Sequence, residues 1–295
     1  MIIVKIHGGI GNQMFQYAAA RQLALKHKRT LKLDITHYNT MILQNDLPYR
    51  SFDLAIFHID ENIATESEIR RYTAYSPSLL KRATKKVMNL IEPHSVVIEP
   101  HFHFWPQFLD LHGKLFLNGY WQSEKYFLDC REVIKSDFEI RTTLDDTGRE
   151  MASKITQSNS VCLNVRRQEF ASNKYPNYFV GEDYYYKAIK EVEKTALNPH
   201  YFIFSDELNW VKKNLNIQSP HTFVEPGLYG EKFRDCLYLM SLCKHFIIPN
   251  STFAWWAAWL GTFGKESNLV ITPRKWLNQA TINTGDVIPE RWIKL

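Results

Sequence analysis

The chain has 295 residues, 45% hydrophobic and 23% charged, which excludes a disordered protein and leaves room for two domains with separate cores. Its 36 basic and 31 acidic residues leave a net charge of +5, too mild to demand nucleic acid but suited to an anionic substrate or a membrane-adjacent enzyme. No run approaches the roughly 18 apolar residues of a membrane span, and residues 2–6 are too short for a secretory leader. The cysteines (Cys130, Cys162, Cys236 and Cys243) lack metal-site spacing. Cys162 and Cys243 lie in apolar runs and read as reduced core residues, which points to the cytoplasm.

In chain order, residues 2–6 form a short β-rich run. The turn His7-Gly8-Gly9-Ile10-Gly11-Asn12-Gln13 follows, then a helix over 13–27 and a strand over 31–34. Glycines in such a turn let backbone approach a ligand closely. Met14 stands where the dinucleotide fingerprint has its third glycine, so the turn is not that motif. Over 79–91, Leu79, Leu80, Ala83, Val87, Leu90 and Ile91 recur at helical spacing, with Lys81, Arg82, Lys85 and Lys86 between them. Such a helix is either an ordinary solvated one or a peripheral contact with an anionic membrane surface, here its inner face. An aromatic run, His101-Phe102-His103-Phe104-Trp105, precedes a strand over 115–120 that ends in Gly119-Tyr120-Trp121-Gln122. The polar stretch 142–159 marks the boundary between a first domain, 1–150, and a second, 151–295.

Beyond it, residues 161–165, 201–204, 246–248 and 269–272 read as buried strands. They alternate with helices over 183–194, 208–215, 232–243 and 252–260, the last closed by Gly261. Alternation of this kind predicts α/β units with parallel sheets.

Three of these strands end in polar clusters: Arg166-Arg167, Ser205-Asp206-Glu207 and Asn250-Ser251-Thr252. Ligands of open parallel sheets bind beyond the carboxyl ends of the strands, so the three clusters predict one crevice. A guanidinium offers paired donors to phosphate oxygens, although an arginine doublet is as readily a surface ion-pair element. Asn250-Ser251-Thr252 starts a helix, where it either caps the amides or meets an anion. Asp206 suits a guanine edge or a ribose, or a helix cap.

Taken together, HGGIGNQMFQYAAARQLA from His7, GYWQSEKYF from Gly119, NVRRQEF from Asn164, FSDELNW from Phe204 and CKHFIIPNSTFAWWAAWLG from Cys243 resemble the galactoside 2-alpha-L-fucosyltransferase family. The resemblance implies a GT-B-like α/β fold, two Rossmann-like domains facing a central cleft, with the acceptor on the N-terminal side and GDP-fucose on the C-terminal side. It implies transfer with inversion to a β-galactoside, with no nucleic acid partner. On the positions that match, Arg166 and Arg167 would hold the diphosphate and Asp206 the guanine. Asn164, Ser205, Asn250, Ser251, Thr252 and Phe253 would line the same donor site, and Gly9, Gly11, Asn12 and Gln13 would close over the donor. The chain departs from the family at Asn164, where His is usual, and at Gln168-Glu169, where Gly-Asp is usual; these changes bear on acceptor and linkage.

No Asp-x-Asp occurs, so the arginines stand where a metal clamp would, and neither metal nor cofactor is expected. Glu169 is the candidate general base by its place beside the arginines, or else a residue that holds one of them. His101–Trp105, Trp121, Tyr175 and Tyr178 are aromatics available to stack on a sugar, whereas Trp255, Trp256 and Trp259 fall at core spacing. Competing readings are a GDP-fucose transferase of different linkage or acceptor, and a non-catalytic protein that binds a nucleotide sugar or RNA. Against RNA, the basic residues are scattered.

Overall fold

A computed structural model describes residues 1–39, 50–73, 94–141, 144–167, 180–225, 233–265, 267–277, 279 and 281–295. Packing divides the chain into two units, Met1–Glu139 and Ile140–Leu295. The basic 79–91 segment, Gln168, Glu169, Tyr175 and Tyr178 lie outside the described residues.

The first unit holds a four-stranded parallel sheet. Its strands are β1 (Ile2–Lys5), β2 (Leu31–Asp34), β3 (His94–Ile98) and β4 (Lys114–Asn118), in the order β2-β1-β4-β3. Helix α1 (Ile10–Lys26) follows β1 and starts three residues before the sequence suggests. Gly8 makes that early start feasible: at φ +78° it turns the chain in a conformation open to glycine. Helix α2 (Glu66–Thr73) follows β2, and α3 (Arg131–Asp137) closes the unit. Tyr17 and Arg21 of α1 both bond Asp137, each at 2.8 Å, which ties α3 back onto α1.

The second unit holds a six-stranded parallel sheet. Its strands are β5 (Ser160–Val165), β6 (His200–Ser205), β7 (His221–Phe223), β8 (His245–Ile247), β9 (Val270–Thr272) and β10 (Ile293–Lys294), in the order β10-β9-β8-β5-β6-β7. That is the 3-2-1-4-5-6 order of a Rossmann sheet, counted from β5. The chain therefore adopts the α/β class expected of it, with two Rossmann-like units. The helices are α4 (Asp146–Gln157), α5 (Glu182–Thr195), α6 (Leu208–Asn214), α7 (Arg234–Ser241) and α8 (Thr252–Gly261). The polar stretch that reads as a boundary is largely α4, with its N-cap Asp145 accepting from the Gly148 amide at 2.7 Å and the change of unit just before it.

Helix α8 is buried all round, as its run of Ala and Trp requires. Trp255, Trp256 and Trp259 pack together, and Trp255 donates its indole N–H to the Val287 carbonyl at 2.8 Å. Gly261 has a different job from the one its position suggests. It is the last helical residue rather than a left-handed cap, and a Cβ there would lie 2.6 Å from the Ser241 carbonyl and 2.5 Å from the Phe246 ring. All four cysteines are buried thiols, and burial raises the proton affinity of Cys130 and Cys236 to about 12. Among the described residues no helix is long and apolar enough to cross a membrane.

Candidate functional site

The strand order of the second unit fixes where a ligand belongs. From β5 the chain runs outward to β6 and β7, then returns to place β8 on the other side of β5. The crevice of such a sheet lies at that switch point, beyond the carboxyl ends of β5 and β8. Arg166-Arg167 leave β5 there, and Asn250-Ser251 leave β8 into α8. Ser205-Asp206 end β6, the other neighbour of β5. The three clusters expected to converge are thus brought to adjacent strand ends.

Their side chains take distinct positions. The Arg167 guanidinium lies over the Trp210 ring, its Cζ 3.6 Å from the centroid, with its Nε 3.5 Å from the Glu207 carboxylate. Its own amide donates to Asp206 Oδ1 at 2.8 Å. Stacking and the ion pair orient Arg167, and Asp206, otherwise exposed, ties the ends of β5 and β6 together. The charge of Arg166 is near enough to the Cys236 thiol of α7 to oppose the rise that burial causes in its proton affinity. Ser205 is buried and accepts from the Glu207 amide at 3.0 Å, while Asn164 donates to the Phe204 carbonyl at 3.2 Å.

At the start of α8, Ser251 is the N-cap residue, yet its hydroxyl makes no capping bond. Plain capping therefore does not explain this serine. Asn250 is buried, donates to the Trp276 carbonyl at 2.9 Å, and keeps its Oδ1 without a hydrogen-bond partner. A buried acceptor of this kind suits a ligand's hydroxyl or N–H, while the uncapped first-turn amides beside it suit an anionic group. Phe253 forms an edge contact with Phe233, with centroids 5.9 Å apart.

The first unit has its own switch point, between β1 and β4. Gln122, after β4, donates to Asn12 Oδ1, after β1, at 2.9 Å, and bridges the two strand ends. A Cβ on Gly8 would lie 2.8 Å from Asn12 Nδ2, so the turn is as tight as its glycines permit. Gly9 is the N-cap of α1 and offers no side chain to cap it. The Arg50 guanidinium lies beside it, 3.5 Å from where a Cβ would be. Gly11, within the first turn of α1, is buried. Gln13 is committed to the fold: it donates to the Gly8 and Ser51 carbonyls at 3.1 and 2.8 Å and accepts from the Asp53 amide at 2.9 Å.

Sequence reasoning missed three groups at this edge: Arg50, Glu99 and Tyr120. Tyr120 stacks on His7, with ring centroids 4.6 Å apart and planes 13° from parallel, and His37 meets His7 edge-on at 5.9 Å. Burial, with His37 and Lys5 nearby, lowers the His7 proton affinity to about 4, so the imidazole stays neutral. Trp121, one of the aromatics available to stack on a sugar, is turned away from solvent. It is fully buried against Phe108 and Tyr126, and Tyr120 beside it is the ring left at the surface. The identity of the paired residues gave the signal, but only the turn decides which of two adjacent aromatics faces out. Among the described residues no three His, Cys, Asp or Glu side chains converge as metal ligands.

Parallel α/β units with polar carboxyl edges are common to many enzymes, and comparison with known proteins narrows the choice. The family model described as "Glycosyl transferase family 11" matches residues 1–294. The chain belongs to glycosyl transferase family 11. Among its relatives, this family 11 glycosyltransferase is 29% identical to the alpha-1,2-colitosyltransferase of Escherichia coli, over 100% of the chain and 99% of the relative. It is 32% identical to the O-antigen biosynthesis glycosyltransferase WbnK of Escherichia coli, over 98% and 99%. To the galactoside 2-alpha-L-fucosyltransferase Sec1 of Mus musculus it is 23% identical, over 88% of the chain and 64% of the relative.

Proposed function

We propose that this glycosyltransferase is an inverting fucosyltransferase that moves L-fucose from GDP-β-L-fucose to a hydroxyl, O2 of a β-galactoside, within a glycan such as an O-antigen. The observation that carries the reading is the switch point of the second sheet, where arginines and an uncapped, buried helix N-terminus collect at neighbouring strand ends. Family membership supports glycosyl transfer, and a relative named as a galactoside 2-alpha-L-fucosyltransferase supports the acceptor and linkage.

Glycosyl transfer breaks the bond from the sugar's anomeric carbon to a phosphate oxygen while positive charge builds on the sugar ring, as in glycoside hydrolysis. The departing diphosphate gains negative charge as that bond lengthens. Fixed cations and aligned amides bind it more tightly in the transition state than in the ground state, and so raise the rate. Arg166, Arg167 and the amides of α8 fill that role in this proposal, the Ser251 hydroxyl donates to a phosphate oxygen, Asn250 Oδ1 accepts from a ribose hydroxyl, and Asp206 reads the guanine. No metal takes part.

A second donor deserves the same assay, because one relative is named as an alpha-1,2-colitosyltransferase. Colitose is fucose without its 3-hydroxyl, and the same diphosphate grip serves both. Product analysis with GDP-fucose and GDP-colitose on a panel of β-galactosides tests the function. Linkage at O2 is expected, and no transfer from either donor would refute it. Arg166→Ala and Arg167→Ala should each cost on the order of 10²–10³ in kcat with GDP affinity reduced and folding intact. Near-normal turnover in both variants would reject the diphosphate assignment. EDTA should leave the rate unchanged, and a strict divalent-ion requirement would contradict the arginine clamp.

A further inference from the structure

Arg167 sits in a socket built by the start of α6. Glu207 is the residue that begins this helix, yet its side chain caps no amide. Its carboxylate lies 3.5 Å from Arg167 Nε instead. Trp210, one helical turn on, falls on the same face, and its ring meets the guanidinium with the centroid 3.6 Å from Arg167 Cζ. Bonds that do not involve Arg167 hold both residues. The Glu207 amide donates to the Ser205 hydroxyl at 3.0 Å, and the Trp210 amide donates to the Glu207 carbonyl at 3.0 Å. The Trp210 carbonyl accepts from Asn214 Nδ2 at 2.8 Å, and Trp210 packs against the core of the second unit. Asp206 Oδ1 accepts from the Arg167 amide at 2.8 Å. One short stretch of chain thus holds the backbone, the plane and the Nε edge of a single arginine.

A guanidinium is attracted to the negative face of an aromatic ring, most strongly for Trp and where water is excluded. The Arg167 side chain is only 17% exposed, so this contact lies toward the strong end of the range. Stacking also fixes the plane of the guanidinium, and with it the direction of its donors. Pairing at Nε engages the base of the fork, whereas the Nη nitrogens beyond it carry paired donors of the kind that phosphate oxygens accept. A free arginine side chain loses rotamer freedom each time it grips an anion. One already held in place needs no reorganisation as charge develops on a leaving group.

We propose that Trp210 is a positioning residue of the donor site: its ring, with Glu207 at the edge, holds Arg167 ready for the diphosphate, and it acts through Arg167 alone. This rests on the GDP-sugar reading given above and involves residues of the second unit only. Trp210 itself touches no part of the donor.

The test measures kcat and GDP affinity for Trp210→Leu and Trp210→Phe, each in the wild-type and the Arg167→Ala background. Trp210→Leu should lower kcat by roughly 5–30-fold and weaken GDP binding. Trp210→Phe, which keeps a ring face, should stay within about twofold of wild type. In the Arg167→Ala background neither substitution should change kcat or GDP affinity by more than about twofold, since the residue it acts through is gone. Equal losses in both backgrounds would overturn the proposal, because Trp210 would then act on the fold or on the ligand directly. A Trp210→Leu enzyme equal to wild type, or a Trp210→Phe enzyme as poor as Trp210→Leu, would overturn it too. A measurement on Arg167 covers the case in which Trp210→Leu fails to fold. Its Nε–H NMR signal, assigned by its loss in Arg167→Lys, should lie upfield through the ring current of Trp210 and move when GDP is added. A signal at the ordinary arginine position, or one that GDP leaves still, refutes the socket. A wild type that binds no GDP, or an Arg167→Ala enzyme with normal turnover, refutes the donor assignment and takes the socket with it, whereas equal losses in the two backgrounds beside intact wild-type GDP binding concern Trp210 alone.

Discussion

Gln13 separates a ligand-binding role from a structural one. Its side chain is fully buried, and its amide makes three bonds to the Gly8 carbonyl, the Ser51 carbonyl and the Asp53 amide. Gln13→Ala takes a partner from each of those groups. Leaving a buried donor such as the Asp53 amide unsatisfied costs about 1–3 kcal/mol, and the lost buried methylene adds roughly 0.8 kcal/mol. The expected total is roughly 2–4 kcal/mol, and at about 3 °C per kcal/mol for a unit of this size the melting temperature falls by about 6–12 °C. Gln13→Glu keeps the shape but turns a donor into an acceptor facing two carbonyls. Its carboxyl is therefore favoured protonated in the fold, with a proton affinity above the unfolded value. The stability of that variant is greatest below about pH 4 and is lost as pH rises through the folded value. Urea unfolding of wild type and both variants at pH 4.5 and 7.5 reads these differences directly. Donor KM should change little wherever the variants are folded. An unfolding cost under about 0.5 kcal/mol together with a large rise in donor KM would refute the reasoning and return Gln13 to the donor site.

Two further outcomes follow from close packing and from burial. Gly261→Ala should destabilise the second unit by at least about 2 kcal/mol, seen as a lower urea midpoint, because its Cβ would meet the Ser241 carbonyl at 2.6 Å and a backbone oxygen cannot rotate away. His7 is held neutral with its proton affinity lowered to about 4, so the unfolded chain takes up a proton first. Stability from this group is complete above the ordinary histidine value of about 6.5 and is lost as pH falls toward 4; His7→Phe, which keeps a ring against Tyr120, should flatten that slope in thermal melts between pH 4 and 7.

The sequence by itself determined the α/β class and most of both sheets. Runs such as Leu31–Asp34 and Ser160–Val165 are short, apolar and bounded by polar residues, and local chemistry suffices to read them. It also placed Arg166, Asp206 and Asn250 at strand ends, because strand ends are marked where apolar runs stop. Strands β3, β7 and β10 were not read from it. Ile293–Lys294 is a two-residue edge strand with little apolar signal, held by its pairing with β9, whereas His94–Ile98 does carry the β-branched run Val96-Val97-Ile98, a local strand signal that was passed over. Only the tertiary structure gave the strand order, and with it the switch points where ligands bind, since pairing partners lie far apart in sequence. It alone turned Trp121 inward and Tyr120 outward through a positive φ, and brought Glu99 to their amides from 21 and 22 residues away. Those are choices made by packing and backbone bonds across the sheet, and no local pattern of residues encodes them.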